Sequence, residues 1–303
     1  MAAAFIATFL FALSVIAASR SVRLLGGNAA NFWRLVVAAF VLGLWAHTLG
    51  EGLGGVAFGW FFLSGVIGFG LGDFALFQCI PRLGPRLSSL MINCLSAPFG
   101  AAIEWLWLGT RLSAAQVLCG VVILTGVALS LAPERQFPIP LRRRLAGVVF
   151  GVIAGFGQGY GAVLTRKAYT VAAAAGQNVD GVTAAYERIL GGLALILLPT
   201  LWWLWRERAR PRDERRPPLS QSERRRAAGW VTANALAGPA IGVAFYQWAL
   251  KTTPSGIVLP ITAMAPLMVI PFTYVLDRDR PGWRSLVGAV VAVAGVVGLT
   301  LVR

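Results

Sequence analysis

Five charged side chains lie within stretches of the sequence that are otherwise apolar: the acids Asp73, Glu104 and Glu187 and the bases Arg34 and Arg188. A charge in hydrocarbon costs at least about 2.5 to 3.5 kcal/mol, so each of these side chains is expected to face a cavity or a partner. Asp73 could bind a cationic group or carry a proton, or a donor on a neighbouring helix could hold it structurally. These residues are the first candidates for a functional site.

Uncharged polar residues in the same stretches extend the candidate site. A polar group in a dry bilayer needs a partner, which is either another helix or a ligand. Glu104 follows Asn93 and Gly100 at helical spacing, and this small, polar stripe suits either a cavity wall or close helix packing. The predicted substrate-binding set is Asp73, Asn93, Ser96, Glu104, Gln158, Tyr160, Glu187, Arg188, Tyr246, Gln247 and Thr262.

The sequence offers no histidine or cysteine partner for intramembrane catalysis and no nucleotide-binding motif. His47 is the only histidine and is predicted near the outer surface, so an intramembrane carboxylate would lack a histidine partner. The three cysteines, an odd number, imply no disulfide framework. The glycine-rich run 155–161 follows no strand, and no phosphate-binding GxxxxGK[ST] motif is present. We predict no enzyme, metal or cofactor, and keep an intramembrane enzyme or a membrane scaffold as the alternatives.

The composition places the chain in a lipid bilayer. Hydrophobic residues make up 57% of the chain and charged residues 13%, and the mean hydropathy is +0.71. A globular protein has about 25% charged residues, and one helix needs about 20 apolar residues to cross a membrane. The sequence therefore predicts an all-α membrane protein with ten transmembrane helices. They are expected near 2–19, 29–46, 56–80, 87–109, 113–131, 145–165, 184–205, 228–250, 256–276 and 285–302.

The basic residues are distributed unequally between the two sides of the predicted membrane. If the loops alternate, 20 of the 27 basic residues fall on one side, five on the other and two within spans. This bias argues against nucleic-acid binding and places the Arg-rich loops in the cytoplasm. The longest of them, about 206–227, is expected to be a solvated loop that contacts anionic lipid. Both termini are then predicted to be periplasmic in a bacterial inner membrane.

The second half of the sequence repeats the first. Gln78 and Pro85 recur as Gln247 and Pro254, each 169 positions later, and Asn31–Val36 aligns with 185–190 at an offset of 154. Because each half contains an odd number of helices, the halves should insert with opposite orientation, as inverted repeats. The predicted repeats are 1–138 and 139–303.

The repeat makes the family recognisable. The second and seventh spans each have an Arg near their start, Arg34 and Arg188, and the fourth and ninth each contain a Pro, Pro98 and Pro266. The last span also contains two glycines seven residues apart, the first of which is Gly288. In this order and spacing these residues resemble the EamA-type members of the drug/metabolite transporter superfamily. Interrupted helices at Pro98 and Pro266 would mark the central site.

The resemblance implies a secondary transporter that exports or exchanges a small metabolite, often an amino acid or a related compound. It would work by alternating access without ATP. Proton coupling through Asp73 or Glu104 is an open alternative, since facilitated exchange needs no titratable residue. The matched pair Arg34 and Arg188 could bind helix-end carbonyls or phosphates, or a substrate carboxylate. The sequence indicates no oligomeric state.

Overall fold

The computed structural model describes residues 1–83, 85–131, 140–209, 219–269 and 282–302. The regular secondary structure of these ranges is helical. The first half contains α1 (Ala2–Leu25), α2 (Gly27–Thr48), α3 (Phe58–Gly65), a π-helical segment (Val66–Gly72), α4 (Asp73–Leu83), α5 (Pro85–Leu108) and α6 (Ala114–Leu131).

The second half begins with the longest helix. Its helices are α7 (Leu141–Ala174), α8 (Gly181–Ala209), α9 (Gln221–Ala235), a second π-helical segment (Leu236–Ala240), α10 (Ile241–Thr252), α11 (Ser255–Thr262), α12 (265–269) and α13 (Trp283–Leu301).

Many of these helices are suited to a membrane. Within the described residues, six helical stretches are long and apolar enough to cross one, and three shorter apolar helices accompany them. Large apolar side chains cover the outside of the bundle: Leu106 is 76% exposed and Phe40 73%. Exposed apolar surface of this extent, on helices long enough to cross a bilayer, is typical of a membrane protein. The protein is a multi-pass helical membrane protein.

Short connections hold consecutive helices together. Gly26 alone separates α1 from α2, and its φ of 80° lies in the left-handed region that glycine adopts without strain. At the start of α8, Asp180 Oδ1 accepts hydrogen bonds from the backbone N–H groups of Val182 (2.7 Å) and Thr183 (3.0 Å). This N-terminal cap satisfies backbone donors that the helix leaves open, and it fixes the first turns of α8.

Two π-helical segments occupy matching places in the two halves. The 169-residue offset carries Val66–Gly72 onto 235–241, which covers Leu236–Ala240. The first segment is rich in glycine and the second contains Pro239, which has no N–H to donate, so neither sequence favours regular α-helical bonding. π-helical turns are frequent at functional sites, and Asp73 follows the first one directly.

The expected helix interruptions occur in only one of the two predicted spans. The interpretation of Pro98 as an interruption is wrong, because α5 continues through it from Pro85 to Leu108. Neighbouring helices can compensate for the backbone bond that a proline removes. In the ninth span, α11 ends at Thr262 and the helix resumes only at 265–269, with Pro266 in its first turn.

The last described helix of each half packs against its counterpart. Helices α6 and α13 run antiparallel, because Ile123 of α6 lies against Gly295 while Ser130 lies against Ser285. Ser130 Oγ donates to the Ser285 carbonyl (3.1 Å), and Ser285 Oγ donates to the Ser130 carbonyl (3.2 Å). A Cβ on Gly126 would lie 2.4 Å from a backbone nitrogen of α13, so the two backbones are in direct contact.

Several connections meet at one end of the bundle, which we name the short-loop end: 49–57, 109–113, 175–180 and 253–254. Gln177 Oε1 accepts from the backbone N–H of Val56 (3.2 Å). Lys251 Nζ donates to Asn178 Oδ1 and to the Val179 carbonyl, both at 2.7 Å. These contacts tie connections of both halves together.

Candidate functional site

A cavity of about 330 Å³ lies between the two halves of the bundle. Its walls come from α1, α2, α4, α5 and the first π-helical segment, and from α7, α8, α10 to α12 and the second π-helical segment. Helices α6 and α13 contribute no wall. Among the described residues, three charged side chains line this cavity: Arg34, Asp73 and Arg188.

Asp73 is paired across the cavity wall. Its Oδ2 accepts from Arg34 Nη2 at 3.0 Å, and its side chain is only 9% exposed. Its other oxygen, Oδ1, lies 3.4 Å from Gln158 Nε2, which also donates to the Gly68 carbonyl. Arg34 Nε donates to Asn31 Oδ1 at 2.7 Å and is thereby oriented toward Asp73. The pair joins α2 to α4, and its two charges cancel.

Arg188 is buried beside the same cavity and forms no direct ion pair with a described carboxylate, although the charge of Asp73 acts on it from across the cavity. The residue is 2% exposed, and its Nη1 donates to Gln247 Oε1 at 3.1 Å. Its guanidinium carbon lies 5.1 Å from the ring centre of Phe69 and 5.5 Å from that of Tyr246, within cation–π range. Its Nε has no hydrogen-bond partner. Across the described ranges, no carboxylate oxygen lies within 4.0 Å of this guanidinium.

A fully buried polar layer lies behind Arg188. Ser64 Oγ lies 2.6 Å from the Gly161 carbonyl, to which it donates, and 3.0 Å from Thr165 Oγ1. Gln247 Nε2 donates to Thr165 Oγ1 at 3.4 Å, so the amide that accepts from Arg188 belongs to the same network. Thr165 follows the cavity residue Gln158 by two turns of α7, so this layer lies on the short-loop side of the cavity.

A second buried ion pair lies farther toward the short-loop end. Arg166 Nε donates to Glu104 Oε1 at 2.9 Å, and Arg166 Nη1 donates to the Leu250 carbonyl at 2.9 Å. Glu104 Oε2 accepts from the Ser255 backbone N–H at 2.6 Å and also from the Ser255 hydroxyl. Ser255 is the first residue of α11, so the carboxylate lies at a helix N-terminus, which favours an anion. This cluster, Glu104–Arg166–Ser255, joins α5, α7 and α11.

The predicted site residues separate into two groups. Seven line the cavity: Asp73, Asn93, Ser96, Gln158, Arg188, Tyr246 and Thr262. Four do not: Glu104, Tyr160, Glu187 and Gln247.

The four residues outside the cavity have other neighbours. Gln247 lies in the polar layer and Glu104 in the second ion pair. Glu187 Oε1 accepts from the Gly54 backbone N–H at 3.4 Å near the short-loop end. The ring of Tyr160 packs against the rings of Trp107 and Phe156.

Most other residues that line the cavity are absent from the predicted set, and three of them, Arg34, Phe69 and Ser14, make contacts that matter for the site. Arg34 was identified as a buried charge but not placed in the set, and its correspondence to Arg188 was the available signal. Phe69 lies in the glycine-rich first π-helical segment and faces the guanidinium of Arg188. Ser14 of α1 donates to Asn234 Oδ1 of α9 at 2.6 Å, a contact between distant parts of the chain that no local pattern predicts.

These helices and this cavity define a multi-pass helical membrane protein with charged residues lining a cavity between its helices. The chain belongs to the EamA-like transporter family, whose model matches residues 1–132 and 145–301, and so to the drug/metabolite transporter superfamily. One solved structure, titled only "Crystal structure of protein", matches with a TM-score of 0.76 and 18% identity, covering 100% of this chain and 99% of the other. That likeness concerns the fold. No curated protein matches the sequence.

Proposed function

We propose that the protein is a secondary transporter that exports or exchanges a small, amphiphilic or amino-acid-like metabolite across a bacterial inner membrane by alternating access. One observation carries the proposal: helices of both halves surround a cavity that holds charged side chains inside an apolar bundle. Transporter sites lie where two repeats meet, near the middle of the membrane. Membership of a transporter family supports the same function.

We propose that ten spans form two inverted repeats, 1–138 and 139–303. The matching π-helical segments and the antiparallel contact of α6 with α13 support this arrangement. Arg34 and Arg188, which correspond in the repeat alignment, both line the cavity. Alternating access would then arise from rocking one group of helices against the other.

Counterflow in liposomes tests the transport function. Purified protein is reconstituted in vesicles loaded with an unlabelled metabolite, and uptake of the labelled metabolite is followed for a broad panel of amino acids, small organic acids and related compounds. We expect saturable uptake of at least one compound, and none in protein-free vesicles. Absence of uptake across the panel, with protein shown to be folded, contradicts the proposal.

Replacing Asp73 by Asn is expected to slow transport about tenfold or more. The change removes the carboxylate from the 3.0 Å pair and leaves Arg34 as an uncompensated charge at the cavity. A hydrogen bond to a charged group contributes about 1.5 to 3 kcal/mol, and about 1.4 kcal/mol corresponds to a tenfold change. The measurement is the initial rate of counterflow at several pH values.

Glu51→Gln serves as the matched control for Asp73→Asn. It also removes one carboxylate, but from an exposed position in the 49–57 connection, and it should transport at the wild-type rate. If Asp73→Asn transports like the wild type at every pH tried, Asp73 has neither a proton-carrying nor a substrate-binding role.

Reporter fusions test the proposed orientation. We propose that the Arg-rich loops are cytoplasmic and that both termini are periplasmic, because positive charge is retained on the cytoplasmic side. A reporter inserted at Arg215, which lies outside the described residues, should give a cytoplasmic signal, and one fused at the C-terminus a periplasmic signal. The reversed pair of signals would refute the orientation and leave the transport proposal standing.

A further inference from the structure

We propose that Arg188 binds the carboxylate of the transported compound, and that the substrate is a small organic monoanion with an apolar body. This inference rests on the proposed transport function and names the substrate class of the same cavity. Membership of the family does not specify the charge of the transported compound.

The charged residues that line the cavity do not balance. Among its described lining residues, Asp73 is the one carboxylate beside two arginines: it forms an ion pair with Arg34 at 3.0 Å and its charge also acts on Arg188, so the described lining carries an excess of one positive charge. An excess buried charge is unfavourable, and inside a membrane charged residues mark substrate or ion pathways. One bound carboxylate would supply the missing charge. A dianion would leave the cavity with an uncompensated negative charge.

The guanidinium of Arg188 is only partly hydrogen-bonded by its surroundings. Gln247 occupies Nη1, whereas Nε is buried and has no partner. A Cβ on Gly68 would come within 2.6 Å of Nη2, so glycine at this position allows the guanidinium to lie against the backbone. A carboxylate accepts from an arginine through two parallel N–H groups, and Nε, although fully buried, is an N–H of this guanidinium that has no partner among the described residues.

The rest of the cavity indicates the body of the substrate. The rings of Phe69 and Tyr246 flank the guanidinium, and Phe11, Val243 and Leu259 add apolar wall. Pockets of about 300 to 1,000 Å³ with mainly apolar walls and a few polar groups are typical of small-molecule sites. At about 330 Å³, this cavity fits a compact aromatic or aliphatic acid better than a strongly hydrated inorganic anion.

Ligand-dependent thermal stability tests the inference without requiring transport. Purified wild-type protein is heated with three acid and amide pairs of matched shape: phenylacetate and phenylacetamide, indole-3-acetate and indole-3-acetamide, butyrate and butyramide. A ligand that binds the folded state raises Tm by mass action. At least one acid should raise Tm while its amide does not. The amine phenethylamine should also have no effect.

Two variants assign the effect to Arg188. Arg188→Gln should weaken acid binding at least about tenfold, because a charge-assisted pair is lost. Arg188→Lys keeps the positive charge but cannot form a bidentate hydrogen bond, so it should retain part of the affinity. Lys251→Gln removes one positive charge at the short-loop end, outside the cavity lining, and should bind the acid like the wild type.

The inference is overturned if acids and amides stabilise the wild type equally, if no acid stabilises it, or if only the amine does. It is also overturned if folded Arg188→Gln binds the acid as tightly as the wild type. Failure of the transport proposal gives a different result: folded protein shows no counterflow, even if an acid raises its Tm. Counterflow of neutral compounds only, unchanged in Arg188→Gln, would refute the substrate class while transport stands.

Discussion

Replacing Arg166 by Met is expected to cost about 3 to 5 kcal/mol of folding free energy, because it leaves Glu104 as a buried carboxylate without its cation. The Glu104 side chain is 2% exposed, so water cannot solvate the charge that remains. The change also removes the donor to the Leu250 carbonyl. The measurement is the unfolding free energy in detergent, from denaturant titration of the folded fraction.

Glu104→Gln is the matched control for that substitution. It removes the negative charge but keeps an oxygen that can accept from the Ser255 backbone N–H. The cation left behind is less confined, since the Arg166 side chain is 21% exposed. We expect a smaller loss than for Arg166→Met.

A double-mutant cycle separates the ion pair from other effects of these changes. The double variant Glu104→Gln and Arg166→Met should be more stable than Arg166→Met alone, because no unpaired charge remains in it. Losses that simply add would show that the two side chains do not depend on each other, which would contradict a coupled buried pair.

The Glu104–Arg166–Ser255 cluster holds three helices together near one end of the bundle. The cluster joins α5, α7 and α11 near the short-loop end, whereas Asn93, which lines the cavity, lies 11 residues earlier in α5, or roughly 16 Å along the helix. In the transporter we propose, opening this end would require these bonds to break. The free energy of the cluster would therefore favour the state closed at the short-loop end.

The sequence predicted a helical membrane protein and its buried charges because both depend on local composition. Runs of about 20 apolar residues specify membrane helices without reference to the rest of the chain. A charge inside such a run is conspicuous, which is how Asp73, Glu104 and Arg188 became candidates. The family resemblance, which rested on recurrent Arg and Pro positions, is confirmed by the match over both halves.

The partners of those charges could not be predicted, because they depend on which helices meet. Asp73 takes its cation from Arg34, 39 residues earlier, and Glu104 takes its cation from Arg166, 62 residues later. Both carboxylates were candidates for the substrate site, yet Asp73 lines the cavity and Glu104 lies in an ion pair toward the short-loop end. The position of a residue along a helix does not reveal which side of that helix faces the cavity.

Replacing Gly65 by Ala is expected to destabilise the protein by about 3 kcal/mol or more, because overpacking forces backbones apart. A Cβ at this position would lie 1.7 Å from the carbonyl oxygen of Arg188, a contact that no real Cβ makes. Gly191 approaches from the other side, where a Cβ would lie 1.9 Å from the Phe62 carbonyl oxygen. Helices α3 and α8 are therefore in backbone contact at this crossing, and neither can yield by a side-chain rotation.

Gly59→Ala is the matched control, since Gly59 lies in the same helix and no described residue of another helix comes within 4 Å of the place that its Cβ would take. Alanine favours a helix over glycine by about 0.8 to 1 kcal/mol, so this variant should be unchanged or slightly more stable. Equal stability of the two variants would refute the close crossing. If Gly65→Ala still folds, its Tm should rise less with the acid, because the carbonyl it displaces belongs to Arg188 itself.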